Sequence, residues 1–565
     1  MRTLVSVTAI IFAVLILLVN LGTFTVSTTM ANPADPAIHG NVTDAAGKPI
    51  RGATVKVALG TKAISRFTDQ NGRYLFTGLQ TGNYRVTVQV YGYETKSQTQ
   101  DANQTGETNF LLKPRWSTSQ LSGAELMTAL PENDETRFMY AHCTSCHTMV
   151  PMLLKKGLTA SEWDGVAHGM AEKSIAKLGL NPLPESPILA RMTELLEKYL
   201  GPNSHEMTQD QVKHVAITDA ALQGTFYEFD IPSPNSFPHG IHADNHGDAW
   251  FDEFDVVSNS IGKLNLETGE VTEYRFPDAG PMAPRIDKDG KVMVSLRRGR
   301  RVASLDPLTG QSTIIAEGAP GARKGTFDKE GNFWGSGGDG VYEFNRLTKK
   351  FQDYPGPALK EIPEDSLLAF GKLPGASNEL PAHMPGGGSG PGPLNPGSSY
   401  DVAVDSKDRV WYTTYMTGTL VRLDPETGKN ATFNFPGVPS ARGVAVDSKD
   451  NLWYADVYGF KLVKFDQKTD KGKLYQPPTR YASPYGVVAE KNGNIWYADY
   501  TGNNITRFDP KTEQFTEYPI PTRSAMPRFI SVDDQGRVWF TEWWQGKVGV
   551  LVPAGGSKPA TASLK

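Results

Sequence analysis

Cysteine is almost missing: the 565 residues contain two, Cys143 and Cys146, in one short run, which leaves none for a disulfide. A strong charge of either sign is also missing, the formal net charge being -4, so nothing in the balance points to a nucleic-acid partner. Long apolar stretches are confined to the extreme N-terminus, from about Leu4 to Val19. No histidine follows His383. What is abundant is glycine, 56, and proline, 39, beside ten tryptophans and only modest hydrophobicity; this composition favours turn-rich β structure in several domains over a helical bundle.

Met1-Arg2, the apolar run and then Thr29-Met30-Ala31 have the layout of an export signal, with small residues where a signal peptidase cuts. Cleavage after Ala31 is expected, with an uncleaved N-terminal anchor as the alternative, since the run is nearly long enough to span a bilayer. A periplasmic or otherwise exported protein follows from either.

The two cysteines lie in Cys143-Thr144-Ser145-Cys146-His147. Two thiols three positions apart, followed at once by an imidazole, suit covalent attachment of one haem c, with His147 as proximal iron ligand. A redox dithiol would need a βαβ setting, and structural zinc would need two more ligands; neither is evident nearby. Candidates for the second iron ligand are Met149, Met152, Met170, Met192, Met207, His168 and His205. Met149 and Met152 are too near His147 to cross a ring, Met192 lies on an apolar helical face and Met207 comes late, which leaves Met170.

Around this motif, from 120 to 205, apolar residues recur at helical spacing, as in Trp163, Val166 and Met170 or Leu189, Met192, Leu195, Leu196 and Tyr199. Before it, from 37 to 113, short alternating runs such as Ala53-Thr54-Val55-Lys56-Val57 and Tyr84-Arg85-Val86-Thr87-Val88 are separated by turn signals, which predicts a small antiparallel sandwich. After it, Gly443-Val444-Ala445-Val446-Asp447 to Leu452-Trp453-Tyr454 repeats as Gly486-Val487-Val488-Ala489-Glu490 to Ile495-Trp496-Tyr497. Equivalent tryptophans fall at Trp250, Trp334, Trp411, Trp453, Trp496 and Trp539, with Met293 in the same slot, about 42 residues apart save for an insertion before Trp411. Seven four-stranded copies predict a β-propeller over 222–553, with a Gly/Pro-rich insertion at 355–398 and a tail from 554. The last copy lacks a fourth strand and Thr225–Ile231 precedes the first, so the N-terminal strand is expected to complete the last blade. The insertion joins the ring face, where it is read as a lid, a contact for the helical segment or a flexible loop.

Three resemblances follow. Residues 37–113 carry the Gly-x-Val-x-Asp, Asp-x-x-Gly-x-Tyr and Gly-x-Tyr-x-Val signatures of the carboxypeptidase regulatory-like domain family, which implies a spacer or docking module with carbohydrate binding as an option. The haem motif, the Glu162-Trp163-x-x-Val166-x-x-x-Met170 helix and the terminal Tyr199-Leu200 resemble bacterial monohaem cytochromes c, which implies an all-α domain. The propeller, with Trp539-Phe540-Thr541-Glu542 and its Trp-Tyr-Ala-Asp runs, resembles the streptogramin (virginiamycin B) lyase family. That family uses late-blade histidine and glutamate in a metal-assisted elimination; here Glu542 remains, but the late histidines have no counterpart.

The residue eleven before each repeat tryptophan should ring the channel mouth: His239, Met282, Arg323, Tyr400, Arg442, Tyr485 and Arg528. The residue three after it should end the adjacent strand, giving His239/Glu253, Arg442/Asp456, Tyr485/Asp499 and Arg528/Glu542 as cross-strand neighbours. Such a ring suits a ligand bearing carboxylate or hydroxyl groups, or a divalent cation held by the acids; the alternative is that the pairs satisfy themselves. His239, His242 and His246 invite a metal reading but need not converge. The expectation is therefore a multidomain, mainly β protein with a sandwich, an all-α cytochrome c domain and a seven-bladed propeller. Its expected function is one-electron transfer through Cys143, Cys146, His147 and Met170 to a redox partner protein, with a small-molecule or carbohydrate ligand at the channel. A lyase or hydrolase with a metal at the ring is the second reading, and a non-catalytic scaffold the third; no catalytic residue is assigned.

Overall fold

The computed structural model describes residues 36–556 except 145–146, 179–185, 205–206, 245, 254–257, 277–279, 299, 320–321, 338–339, 359–360 and 377–398. The export segment, Cys146, His205 and much of the Gly/Pro-rich insertion thus lie outside the described residues. No helix among the described residues is long and apolar enough to cross a membrane.

Seven strands build the N-terminal sandwich: β1 (Ala37–Asp44), β2 (Thr54–Leu59), β3 (Lys62–Phe67), β4 (Arg73–Thr77), β5 (Asn83–Gln89), β6 (Lys96–Asp101) and β7 (Phe110–Leu112). One sheet runs β4-β1-β7, the other β3-β2-β5-β6. The alternation read from the sequence puts Val55, Val57, Tyr84, Val86 and Val88 between them, all fully buried.

Seven four-stranded antiparallel sheets form the propeller. Blades 1 to 6 span Ile241–Arg275, Pro281–Glu317, Lys324–Pro355, Ser399–Phe433, Ala441–Tyr475 and Pro484–Pro519. Each turn before a repeat tryptophan is built by one acid. Asp447 accepts the backbone N–H groups of Lys449 at 2.8 Å and Asn451 at 2.9 Å, and its second oxygen accepts the Trp453 indole N–H at 2.9 Å. The same acid–indole bond joins Asp328 to Trp334, Asp405 to Trp411, Glu490 to Trp496 and Asp533 to Trp539. Three residues after the acid the backbone is left-handed, which explains glycine at Gly493 and Gly536 and aspartate at Asp408 and Asp450.

The ring closes as the sequence implies. Strand β8 (Thr225–Asp230) pairs antiparallel with Lys547–Val552 and completes blade 7 beside Pro527–Val532 and Val538–Glu542. The sandwich adds a feature the sequence does not announce: β3 pairs with the other edge of β8, Lys62 to Ser65 against Phe229 to Phe226. Blade 7 and one sandwich sheet are therefore a single eight-stranded sheet. Both edges of β8 are covered, and Phe226, Tyr227 and Phe229 are buried.

The expected all-α cytochrome c domain is corrected. Between the sandwich and the propeller run α1 (Gly123–Met127), α2 (Asp134–Cys143), α3 (Val150–Leu154), α4 (Ala160–Leu178) and α5 (Ser186–Leu200). Their apolar faces do not close on one another alone: Leu126, Met139, Trp163 and Leu196 share one cluster with Tyr481 and Phe460 of the propeller and Tyr91 of the sandwich. The amide of Ala124 donates to the Thr501 carbonyl at 3.0 Å, and Glu132 pairs with Arg480. The helices are a cap built onto a mainly β molecule. With α6 (Asp219–Leu222) and α7 (Leu367–Phe370), the described residues hold seven α-helices.

Because β8 serves two sheets, Phe226→Ala should cost about 3–5 kcal/mol and melt sandwich and propeller together. Differential scanning calorimetry checks this; two separate transitions, the sandwich first, would show that the joint sheet is not a cooperative unit.

Candidate functional site

The innermost strands of blades 2, 4, 5, 6 and 7 carry a β-bulge, between Met282 and Arg285, Ser399 and Val402, Ala441 and Val444, Pro484 and Val487, and Pro527 and Ile530. A bulge leaves its residues outside the ladder and re-aims their side chains. Here it turns Tyr400, Arg442, Tyr485 and Arg528 into the channel. The Tyr400 and Tyr485 hydroxyls form a short hydrogen bond. Arg442 stacks on Tyr485 at 4.5 Å and Tyr400 at 5.1 Å, and Arg528 on Trp543 at 4.0 Å while donating to the Tyr485 hydroxyl at 3.3 Å. Arg323 lies 5.5 Å over Tyr400. His239 packs edge-on to Tyr485, Phe529 and Trp543. Six of the predicted channel residues are thus together: His239, Arg323, Tyr400, Arg442, Tyr485 and Arg528.

The predicted acids are elsewhere. The bulge shifts the register by one, so Asp456, Asp499 and Glu542 oppose Ala441, Pro484 and Pro527 and not the arginines or the tyrosine. Asp456 accepts the Gly459 amide at 2.9 Å, and Asp499 those of Ser483 at 2.8 Å and Gly502 at 2.9 Å. Glu253 accepts the Ser236 hydroxyl at 2.6 Å. Glu542 sits beside Glu228, which Lys56 of the sandwich reaches at 2.7 Å. Burial and then Glu228 hold Glu542 well above the carboxylate range, whereas for Glu228 burial is outweighed by Lys56, Thr522 and Glu542 acting together, which keep it below that range.

The electrostatics single out the tyrosine pair. Burial pushes Tyr485 up, but Arg442, Arg528 and the Tyr400 hydroxyl outweigh it and bring its phenol below the ordinary value. Tyr400 goes the other way, raised by burial and then by Tyr485. His239 is held neutral, first by burial and then by Arg528, Arg442, Lys324 and Arg297. Lys324, Arg285 and Arg297 are channel residues that the sequence reading missed. Lys324 opens the inner strand of blade 3, which has no bulge, one position after Arg323, and Arg297 lies four after Met293; the same repeat arithmetic carried one step further reaches both. That position four after the tryptophan slot also yields Tyr415, Tyr500 and Trp543, which line the mouth.

The cap closes over this cluster. Ala141 of α2 and Leu367 and Leu368 of α7 pack with Tyr400, Tyr458, Tyr485 and Trp543. The insertion, in its described part, contacts the helices: the His142 ring nitrogen Nε2 bonds the Gly371 carbonyl at 2.7 Å. His147 stands beside the mouth, its ring edge-on to Trp544.

A seven-bladed propeller whose mouth carries ionisable side chains under a cap is the candidate site. Family comparison makes the class more specific: residues 391–559 match the Virginiamycin B lyase family, and residues 37–113 match the Carboxypeptidase regulatory-like domain. The C-terminal part is thus a virginiamycin B lyase-like propeller and the N-terminal part a carboxypeptidase regulatory-like domain. No curated protein matches the chain. Among solved structures, a streptogramin B lyase is similar with a TM-score of 0.48 and 21% identity over 59% of this chain and 99% of its own. Virginiamycin B lyase from Staphylococcus aureus gives 0.46 and 21% over 58% and 99%, and a gluconolactonase from Xanthomonas campestris 0.35 and 12% over 57% and 97%.

These findings correct the expected cofactors and the expected function. The family matches fall on propeller and sandwich, away from the segment read as a haem c site, and point to a lyase-like molecule in place of one-electron transfer. Among the described residues no three His, Cys, Asp or Glu side chains gather to hold a metal, which removes the divalent cation at the ring. Of its carboxylates, Asp456 and Asp499 are spent on backbone amides and Glu253 accepts the Ser236 hydroxyl. At the motif, the Cys143 thiol is buried in the cap core and pushed up to about 12 by desolvation. The structure does bring His147 and Met170 together, Nε2 to Sδ at 3.4 Å, while Nδ1 bonds the Thr148 carbonyl at 2.8 Å. Both ring nitrogens of His147 therefore have partners within the chain.

Burial raises Asp456 to about 8 and Asp499 to about 7. An acid bound more tightly to its proton in the folded state loses stability as pH rises from the unfolded value, about 4, through the folded one. Asp456→Asn keeps the acceptor for Gly459 and removes the titration. It should raise the melting temperature at pH 8 and leave it unchanged at pH 4, as scanning calorimetry at the two pH values will read.

Proposed function

We propose that the protein is a carbon–oxygen lyase acting at the capped channel mouth, with Tyr485 as base and Tyr400 as its proton-holding partner. The observation that carries this reading is the buried tyrosine pair between Arg442 and Arg528. Two like groups whose environments drive their proton affinities apart are suited to opposite roles in one reaction. The match to the Virginiamycin B lyase family supports it, because residues 391–559 include all four side chains.

In the proposed step the Tyr485 oxygen takes a proton from a carbon next to a carbonyl. The freed electron pair forms a carbon–carbon double bond, and the C–O bond at the neighbouring carbon breaks. An ester oxygen leaves as a carboxylate; an alkoxide would take the Tyr400 proton. Arg442 and Arg528 offset the negative charge that develops on the carbonyl oxygen, in a setting where burial strengthens the interaction. Burial and the neighbouring cations hold His239 far below its ordinary proton affinity, which makes it a weak base and leaves that role to tyrosine in the absence of late-blade histidines. The ligand in this reading is a small molecule, and the export signal read at Met1–Ala31 supports a reaction outside the cytoplasm.

The test incubates the full chain with virginiamycin B and a panel of lactones and esters. Elimination leaves the total mass unchanged and creates an alkene, while hydrolysis adds water. Tyr485→Phe should lower the elimination rate by about 10²–10⁴-fold with the melting temperature preserved. Equal rates in the two proteins, or water uptake in every product, would overturn the assignment.

A further inference from the structure

Among the described residues the channel gathers more cations than carboxylates. Lys324, Arg442 and Arg528 are buried, and Arg285, Arg297 and Arg323 half-buried, around one axis. The carboxylates whose charges reach Lys324 and Arg285 are Asp401 and Asp252. Both are already engaged: Asp252 accepts the amides of Gly240 at 3.0 Å and Ala283 at 3.1 Å, and Asp401 those of Val402 at 2.8 Å and Val444 at 3.1 Å. Asp456 and Asp499 are turned into their own blade turns. Among the described residues, six cations thus share this space with two carboxylates already bonded to the backbone.

Cations are not gathered in a protein interior without cost: each desolvated ion gives up several kcal/mol of hydration unless a partner replaces it. The cost is visible in the groups themselves. Burial lowers Lys324 to about 8, and burial followed by Arg323 lowers Arg297 to about 9. The Nζ of Lys324 rests on the face of Phe529 at 4.0 Å, and the buried Nε of Arg442 has no hydrogen-bond partner among the described residues. Guanidinium groups present paired N–H donors whose spacing matches the two oxygens of a carboxylate. Tyr415, Tyr458 and Phe529 add apolar walls that suit a small organic body behind such a head.

We propose that the channel mouth is a carboxylate-binding site whose ligand is a small organic acid, held by Arg442, Lys324 and Arg297. That this acid is the substrate rests on the lyase reading; that the site takes a carboxylate does not. As a substrate, such a molecule would carry its carboxylate against the cations and present the adjoining C–H bond to Tyr485.

The experiment is titration of the full chain with sodium malonate and sodium glucuronate, followed by calorimetry and thermal unfolding, at ionic strength balanced with sodium chloride. Glucose and glycerol are the uncharged controls and sodium phosphate the competing oxyanion. One-site, saturable stabilisation by the carboxylates alone is expected. Arg442→Gln and Lys324→Met should each weaken it by about tenfold or more, and Lys324→Met should raise the melting temperature without ligand, because it removes a buried cation. If either variant fails to fold, Arg297→Gln, at the half-buried member of the three, provides the same reading. No saturable binding, binding of phosphate only, or unchanged affinity in the variants overturns the site. Binding without elimination of any ester leaves this site standing and sinks the lyase reading; elimination without carboxylate binding does the reverse.

Discussion

The architecture depends on β8 being paired on both sides. A propeller is a sheet array with two ends, and unless those ends meet, the terminal blades expose edges to water and to other chains. Here Thr225–Asp230 supplies the strand that the last repeat lacks, and β3 then covers the edge β8 would itself have left open. Lys56 reaches from the sandwich to Glu228 within that same sheet, so the charge state of Glu228 and Glu542 is set across the domain border. Neither sandwich nor ring is complete without this strand.

Within the ring, two local devices do separate work. The acid–indole bond fixes the outer turn of a blade and makes its tryptophan recur, which is why the repeat is visible in sequence. The bulge acts at the inner end, where it interrupts the ladder so that a pair of side chains leaves the sheet for the channel. Because blades 4 to 7 use both devices, variation at the bulge changes the channel without disturbing the blade. Tyrosine and arginine at that position give stacked cation–aromatic contacts, which hold guanidinium groups where carboxylates would otherwise be expected.

Periodicity was the legible part. Trp411, Trp453, Trp496 and Trp539 revealed the blades, and counting back eleven positions found Tyr400, Arg442, Tyr485 and Arg528. The partners were not legible, because a bulge moves the register by one without any marker in composition; Asp456, Asp499 and Glu542 went with the wrong neighbours for that reason. Lys324 and Arg297 were overlooked because only one residue per inner strand was followed. The helical segment was legible as helices but not as a cap: apolar faces at Met139, Trp163 and Leu196 look alike whether they close on each other or on Tyr481 and Phe460. Local spacing around Cys143 and His147 likewise carried no information about family matches that fall elsewhere in the chain.

The continuous sheet from sandwich to blade 7 also makes the molecule a mechanical link. Tension applied at the sandwich runs through hydrogen bonds lying across β3 and β8, where Lys62 to Ser65 are paired, and meets the longer Thr225 to Asp230 pairing only behind them. The shorter ladder is the weaker clasp. A pull on the N-terminal domain therefore peels the sandwich away before the ring gives, and β8 stays behind as the pin that keeps the channel closed.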